Sequence, residues 1–186
     1  MDKKLIGEVF NKHKTDKGPW RHGYHQCYGD LFSDFTPTKM LEIGVMEGRS
    51  LAAWRELFPQ ATIHGAELRE WQMVEAAKDI PLFRGHSSDP EFAKTLFDDY
   101  DVIIDDGDHR PDAQWGTFLN FKDKWKKYYV IEDVINEDME QLLRRRFKAA
   151  GYSNVTTYRS AFRGPVRINK VMVDSAFFVM VIRKND

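Results

Sequence analysis

Two apolar stretches run directly into carboxylates: Val102-Ile103-Ile104 into Asp105-Asp106, and Tyr129-Val130-Ile131 into Glu132-Asp133. Negative charges gathered together out of water are unfavourable unless a cation neutralises them. An all-oxygen donor set suits a hard ion, Mg²⁺ before Ca²⁺ or Mn²⁺. His109 follows Asp106 within one turn of chain, where an imidazole can serve as a general base near neutral pH. Asp106 and His109 alone favour a solvated acidic loop with a turn-capping histidine. The second acidic pair favours a metal site.

A second constellation lies earlier, at Glu42-Ile43-Gly44-Val45-Met46-Glu47-Gly48. Glycines at a strand end let the backbone approach a ligand. The motif is not GxGxxG, because Met46 stands where the middle glycine would be. That argues against a dinucleotide whose pyrophosphate rests on a helix N-terminus. S-adenosylmethionine has no phosphate but carries an ammonium and a sulfonium, so a strand carboxylate, Glu42, makes electrostatic sense. Glu67 is placed to accept ribose hydroxyls, a feature shared with NAD-binding folds.

These residues need a scaffold that brings strand ends together. Apolar runs of strand length occur at Lys39–Gly44, Ala61–Glu67, Ile80–Arg84, Tyr100–Asp105, Tyr128–Asp133, Val155–Tyr158 and Ala176–Arg183. Helical spacing joins Leu51, Trp54, Leu57 and Phe58; then Trp115, Phe118, Leu119 and Trp125; then Met139, Leu142, Leu143 and Phe147. Asp89 before Pro90 is an N-cap signal, and Gly151 is a helix stop. Strand–helix alternation predicts parallel strands with right-handed crossovers and helices on both faces. No helical period separates Tyr158 from Ala176, so an antiparallel hairpin with a long loop, Arg159–Ser175, should close the sheet. The fold class is a Rossmann-like three-layer α/β sandwich, its seven-stranded sheet mostly parallel with the last strand antiparallel. The first 35 residues are expected as a short helical extension over the ligand-binding edge, all within one domain spanning 1–186. Ligands of open α/β sheets bind outside the carboxyl ends of the strands. That singles out Glu42–Ser50 (with Gly44, Gly48 and Ser50), Glu67–Leu68, Gly85–Asp89 (with Ser87 and Ser88), Asp105–His109 and Glu132–Asp133.

The 186 residues carry a formal net charge of −1, which offers no general electrostatic grip on nucleic acid. Arg144-Arg145-Arg146 reads as an exposed helix turn. The single cysteine, Cys27, can form no internal disulfide and has no metal-ligand spacing. A reducing, cytoplasmic setting is expected. Met1–Lys14 is too charged for a signal peptide, and Ala176–Ile182 is too short to span a bilayer. A membrane partner is therefore not expected, and homo-oligomer formation is left open.

Three stretches resemble the Mg²⁺-dependent sugar O-methyltransferases of macrolide biosynthesis, of mycinamicin and macrocin type, and their cephalosporin-hydroxylase-like relatives. They are Lys14-Thr15-Asp16-Lys17 with His22-Gly23-Tyr24 and Tyr28; Leu41–Val45 through Gly48–Leu51; and Val102–His109 through Val130–Asp133. The resemblance implies a class I S-adenosylmethionine-dependent methyltransferase acting on a hydroxyl of a small molecule. It implies that Asp106, Glu132 and Asp133 bind Mg²⁺ and that His109 deprotonates the acceptor. It further implies that Glu42, Gly44, Glu67 and Asp105 hold the cofactor, and that Thr15–Tyr28 covers it through Lys17 and Tyr24. The chain departs from the family at Gly85-His86-Ser87-Ser88-Asp89 and at Asp108, where a serine is usual. Two other readings of the same residues are a metal-independent N- or C-methyltransferase and a non-catalytic cofactor-binding module.

Overall fold

The computed structural model describes residues 1–168 and 171–184, the side chains of 161–168 and 171–176 excepted. Its elements are α1 (Lys3–Lys12), α2 (His25–Leu31), β1 (Lys39–Ile43), α3 (Arg49–Leu57), β2 (Thr62–Glu67), β3 (Leu82–Arg84), α4 (Pro90–Lys94), β4 (Tyr100–Asp105), α5 (Pro111–Phe121), β5 (Trp125–Val134), α6 (Glu137–Ala149), β6 (Val155–Ile168) and β7 (Val171–Arg183). The sheet has seven strands in the order β3-β2-β1-β4-β5-β7-β6. The first five are parallel, and β7 is antiparallel to both β5 and β6. This is the expected Rossmann-like sandwich.

Side chains alternate between the faces of a strand, so each central strand feeds two cores. Met40, Val102, Ile104, Val130, Val179 and Val181 pack beneath α1, α2 and α3. Leu41, Ile43, Ile103, Tyr129, Ile131, Met180 and Ile182 pack beneath α4, α5 and α6. Burial on both faces explains why the strands read as unbroken apolar runs. α1 and α2 are fastened to α3 by aromatic rings. Phe10 meets Trp54 edge-on at 5.0 Å and Tyr28 meets it at 4.7 Å, contacts worth about 0.5–1.5 kcal/mol each beyond their buried area.

The boundary signals hold where capping chemistry is local. Asp89 accepts from the Glu91 amide at the start of α4, and Gly151 adopts φ +87° just past α6. Three expectations are corrected. The N-terminal helices do not lie over the ligand-binding edge. Ile6, Val9, Phe10, Tyr28, Leu31 and Phe32 bury against the sheet face beside α3, so the edge is reached by the connection between the helices and by the Tyr28 phenol at Glu132. Trp125 does not continue a helix. It opens β5 and is buried, whereas Leu119 is exposed. Most of the expected loop Arg159–Ser175 is strand, since β6 and β7 stay paired from Arg163↔Ala176 to Ile168↔Val171 beyond an irregularity after Arg159. Asn169 and Lys170 of that expected loop lie outside the described residues.

Two glycines test the helix boundaries. Gly116 lies inside α5 with nothing within 4 Å of where a Cβ would stand, so Gly116→Ala should raise stability by about 0.5–1 kcal/mol. Gly151 is equally open but left-handed, so Gly151→Ala should lower stability by about 1–2 kcal/mol. Urea titration reads both, and reversed signs would contradict the ends assigned to α5 and α6.

Candidate active site

Glu42 and Glu132 occupy even positions on β1 and β5, which point into the α1–α3 layer among apolar neighbours. Both are 1% exposed. That layer supplies their partners. Lys17, in the connection between α1 and α2, is 1% exposed. Its Nζ lies 3.2 Å from Glu42 Oε1, 2.6 Å from Asp106 Oδ2 and 2.5 Å from Glu132 Oε2. The Tyr28 phenol donates to Glu132 Oε1, and Trp54 Nε1 donates to Glu42 Oε2 at 3.1 Å. Gln114 Nε2 holds the Glu132 carbonyl at 3.0 Å. The Tyr24 phenol donates to Asp133 Oδ1.

One ammonium thus serves three carboxylates. Burial would lower the Lys17 ammonium, but Asp106, Glu132 and Glu42 outweigh it and hold it well above its usual value. Burial pushes Asp106 up to about 7, with Lys17 opposing and Asp133 reinforcing. Burial likewise drives Glu132 well above the carboxylate range, against Lys17. The cluster carries more carboxylate than Lys17 neutralises, which leaves room for further positive charge.

Asp105 goes elsewhere. Its odd position on β4 turns it into the other layer, 1% exposed, where it accepts from the Gly107 amide at 3.3 Å and from the Tyr129 phenol at 3.3 Å. Burial raises it to about 7, partly countered by the Gly107 amide. The four carboxylates of the two strand ends therefore do not converge. Asp106, His109 and Asp133 do, with one ligand atom from each lying within 4.8 Å of the others. His109 Nε2 stands 3.9 Å from Asp133 Oδ2. Glu132 does not join this ring, because Lys17 and Tyr28 already take its oxygens.

The glycine turn after β1 forms the adjoining wall. Gly44 has φ +84°, and a Cβ there would stand 2.2 Å from the Asp106 carbonyl oxygen, so any other residue would push the two strand ends apart. Met46 also has positive φ, at 47°. The Glu67 carboxylate steadies the turn, accepting from the Met46 amide at 3.0 Å and the Arg69 amide at 2.9 Å. Each oxygen keeps a further lone pair for a ligand hydroxyl. A cleft of about 550 Å³ opens here, lined by Gly44, Met46, Glu67, Leu68, Trp71 and Ser87 among others. A smaller hollow of about 340 Å³, lined by Lys17, Trp20, Met46, Ser50 and Asp133, adjoins it. Gly44, Met46, Asp106 and His109 belong to both.

The candidate cofactor residues thus divide. Gly44, Glu67, Leu68 and Ser87 line the cleft. Lys17 and Ser50 face the smaller hollow. Glu42, Tyr24 and Asp105 are enclosed, with their polar ends taken up by the protein. Gly48, φ +77°, faces Met73 and Ala77 behind the turn, and Ser88 turns back onto His86. Tyr28 and Trp54 hold the carboxylates of Glu132 and Glu42, and Gln114 the Glu132 backbone carbonyl; none of the three is among the expected site residues. The even spacing of Glu42 and Glu132 on their strands was the available signal, since it forces partners from the opposite layer.

Lys17→Met should remove the counter-ion of Glu42 and Glu132 and cost about 3–5 kcal/mol in urea titration. Adding Glu132→Gln should recover at least about 1 kcal/mol. Strictly additive losses would show that the two residues do not interact through charge.

Comparison with known proteins agrees with this geometry. No family model matches the chain. A tetracenomycin-type 3'-O-methyltransferase of Streptomyces olivaceus is 24% identical over 93% of this chain and 45% of its own. The mycinamicin VI 2''-O-methyltransferase of Micromonospora griseorubida is 25% identical over 67% of this chain and 37% of its own. The chain therefore spans less than half the length of the curated relatives it matches. Among solved structures, the MycE methyltransferase of the mycinamicin pathway in complex with Mg, SAH and its macrolide superposes with TM-score 0.61 and 27% identity, over 69% of this chain and 38% of that one. An O-methyltransferase from Bacillus cereus in complex with SAH matches 99% of this chain and 92% of its own at TM-score 0.55 and 17% identity, a likeness of fold. The chain thus has the Rossmann-like methyltransferase fold and is similar in sequence to the mycinamicin- and tetracenomycin-type O-methyltransferases.

Proposed function

We propose that the protein transfers a methyl group from S-adenosylmethionine to a hydroxyl of a small, sugar-bearing or natural-product-like acceptor, assisted by Mg²⁺. The observation that carries this reading is the ring of Asp106, His109 and Asp133 at the junction of the two hollows. S-adenosylmethionine would supply an electrophilic methyl on a sulfonium and leave as the neutral thioether, while Mg²⁺ would acidify the acceptor hydroxyl and fix its position.

The residues present fit both groups. Glu67 offers carboxylate lone pairs at the place expected of a ribose, and the bare Gly44 backbone admits close approach. Asp106 and Asp133 offer hard oxygen donors in a cluster with unneutralised carboxylate. His109 takes the acceptor proton on Nε2, and the imidazolium formed then faces Asp133 Oδ2. The C–O bond forms as the S–C bond breaks. Positioning supplies much of the rate, because a held pair of reactants avoids the entropy cost of encounter. One relative is a 3'-O-methyltransferase of a rhamnosyl-tetracenomycin and the other a 2''-O-methyltransferase of mycinamicin VI, which supports a sugar hydroxyl as acceptor. The structure contains no helix, among the described residues, long and apolar enough to cross a membrane. The site gives no role to nucleic acid, and a cytoplasmic location is part of the proposal.

His109→Ala should lower turnover by about 10²–10⁴-fold while calorimetry finds S-adenosylhomocysteine affinity unchanged. An equal loss of cofactor affinity would contradict the role of base. EDTA should abolish turnover and added Mg²⁺ restore it. Indifference to EDTA would transfer the reading to a metal-independent methyltransferase.

A further inference from the structure

The smaller hollow has a wall that neither the proton transfer nor the cofactor uses. Trp20 is 58% exposed, the most exposed of the large hydrophobic side chains among the described residues. Such exposure is unfavourable for so large a ring unless something covers it. Its orientation is nevertheless fixed, because Nε1 donates to the Thr15 carbonyl at 2.9 Å. The indole is held at one edge, and Trp20 is one of the residues lining the hollow. Met46, 57% exposed, lines the same hollow. The two apolar groups border a space that also includes Asp106, His109 and Asp133.

The size and charge of the space restrict its occupant. About 340 Å³ is at the small end of ligand pockets, which run from about 300 to 1,000 Å³, so it suits one ring. The rim carries both signs, with Lys14, Asp16 and Lys17 beside Arg49, whose Nε lies 2.7 Å from Glu47 Oε2. Asp106 and Asp133 at its inner end disfavour an anion, and with a cation held by those carboxylates a neutral ring rich in hydroxyls finds donors and acceptors on the rim and an apolar wall for its C–H face.

Resting on the methyltransferase reading above, we propose that Trp20 is the specificity-determining wall of the acceptor hollow, stacking against the C–H face of a single neutral saccharide ring whose adjacent hydroxyls face Asp106, His109 and Asp133. Trp20 lines the smaller hollow and not the cleft that Glu67 lines, so it governs acceptor affinity and not cofactor affinity.

The test uses the full chain with S-adenosylmethionine and Mg²⁺, methyl α-L-rhamnopyranoside as acceptor, and catechol as a flat comparator. Trp20→Ala should raise KM for the glycoside about tenfold, the equivalent of about 1.4 kcal/mol. Its kcat, its melting temperature and its affinity for S-adenosylhomocysteine should stay near those of the unmodified protein. Trp20→Phe, which keeps an aromatic face, should recover most of the KM. Glycoside should also quench tryptophan emission in the unmodified protein and not in Trp20→Phe. An unchanged KM in Trp20→Ala overturns the proposal, as does a fall in kcat alone. Turnover of catechol without the glycoside, or neither turnover nor quenching with the glycoside while S-adenosylhomocysteine binds, overturns the saccharide assignment. Failure of S-adenosylhomocysteine to bind at all removes the methyltransferase reading instead, and calorimetry distinguishes that case.

Discussion

The architecture around the site depends on one buried ammonium shared among three carboxylates. Lys17 is the positive group that makes it tolerable for Glu42 and Glu132 to stand inside an otherwise apolar layer. Isolated charges in that position would cost several kcal/mol each. The ion cluster also ties the connection between α1 and α2 to the ends of β1, β4 and β5, which are far apart in sequence. The N-terminal segment is therefore part of the site's wall and not an appendage to it. It brings Trp20 and Tyr24 with it.

The cluster is incomplete in a useful way. Lys17 neutralises only part of the negative charge gathered there, and the phenols of Tyr24 and Tyr28 share it by hydrogen bonds without cancelling it. Asp106, touched by Lys17 on one oxygen, is the member that also opens to both hollows. It connects the enclosed charges to the accessible ones. Asp133 is held at φ +51°, a strained backbone for a residue with a Cβ. The Tyr24 hydrogen bond helps to fix it there, beside His109. The second positive charge that the proposed function calls for would meet excess carboxylate there and not a cage of fitted donors.

Much of this was legible in the sequence because it rests on local periodicity and on strand ends. The parallel order, the Asp89 cap and the Gly151 stop follow from patterns within a few residues of each other, and the closeness of His109 to Asp106 from their spacing. What was not legible depends on which way a strand-end side chain turns. Asp105 and Asp106 are neighbours, yet one accepts from Tyr129 in the α4–α6 layer and the other opens to both hollows. Glu132 and Asp133 divide in the same manner. The extended β6–β7 pairing was hidden because its residues mix charge, glycine and proline. Trp125 was misplaced because an aromatic at helical spacing looks the same when it starts a strand.

That division has a functional consequence. A site built from four equivalent carboxylates would bind any cation strongly and with little geometric preference. Alternation along the strands prevents this by removing Asp105 to one layer and Glu132 to the other. Each becomes a fixed support, held by tyrosine hydroxyls on Tyr129 and Tyr28 respectively. Only Asp106 and Asp133 then remain beside His109 at the mouth of the hollows. Under the proposed function, two carboxylates would leave coordination positions open, which an ion needs if an acceptor is to reach it. The buried pair supports the half-buried pair: it sets the backbone and the field while leaving the oxygens of Asp106 and Asp133 accessible.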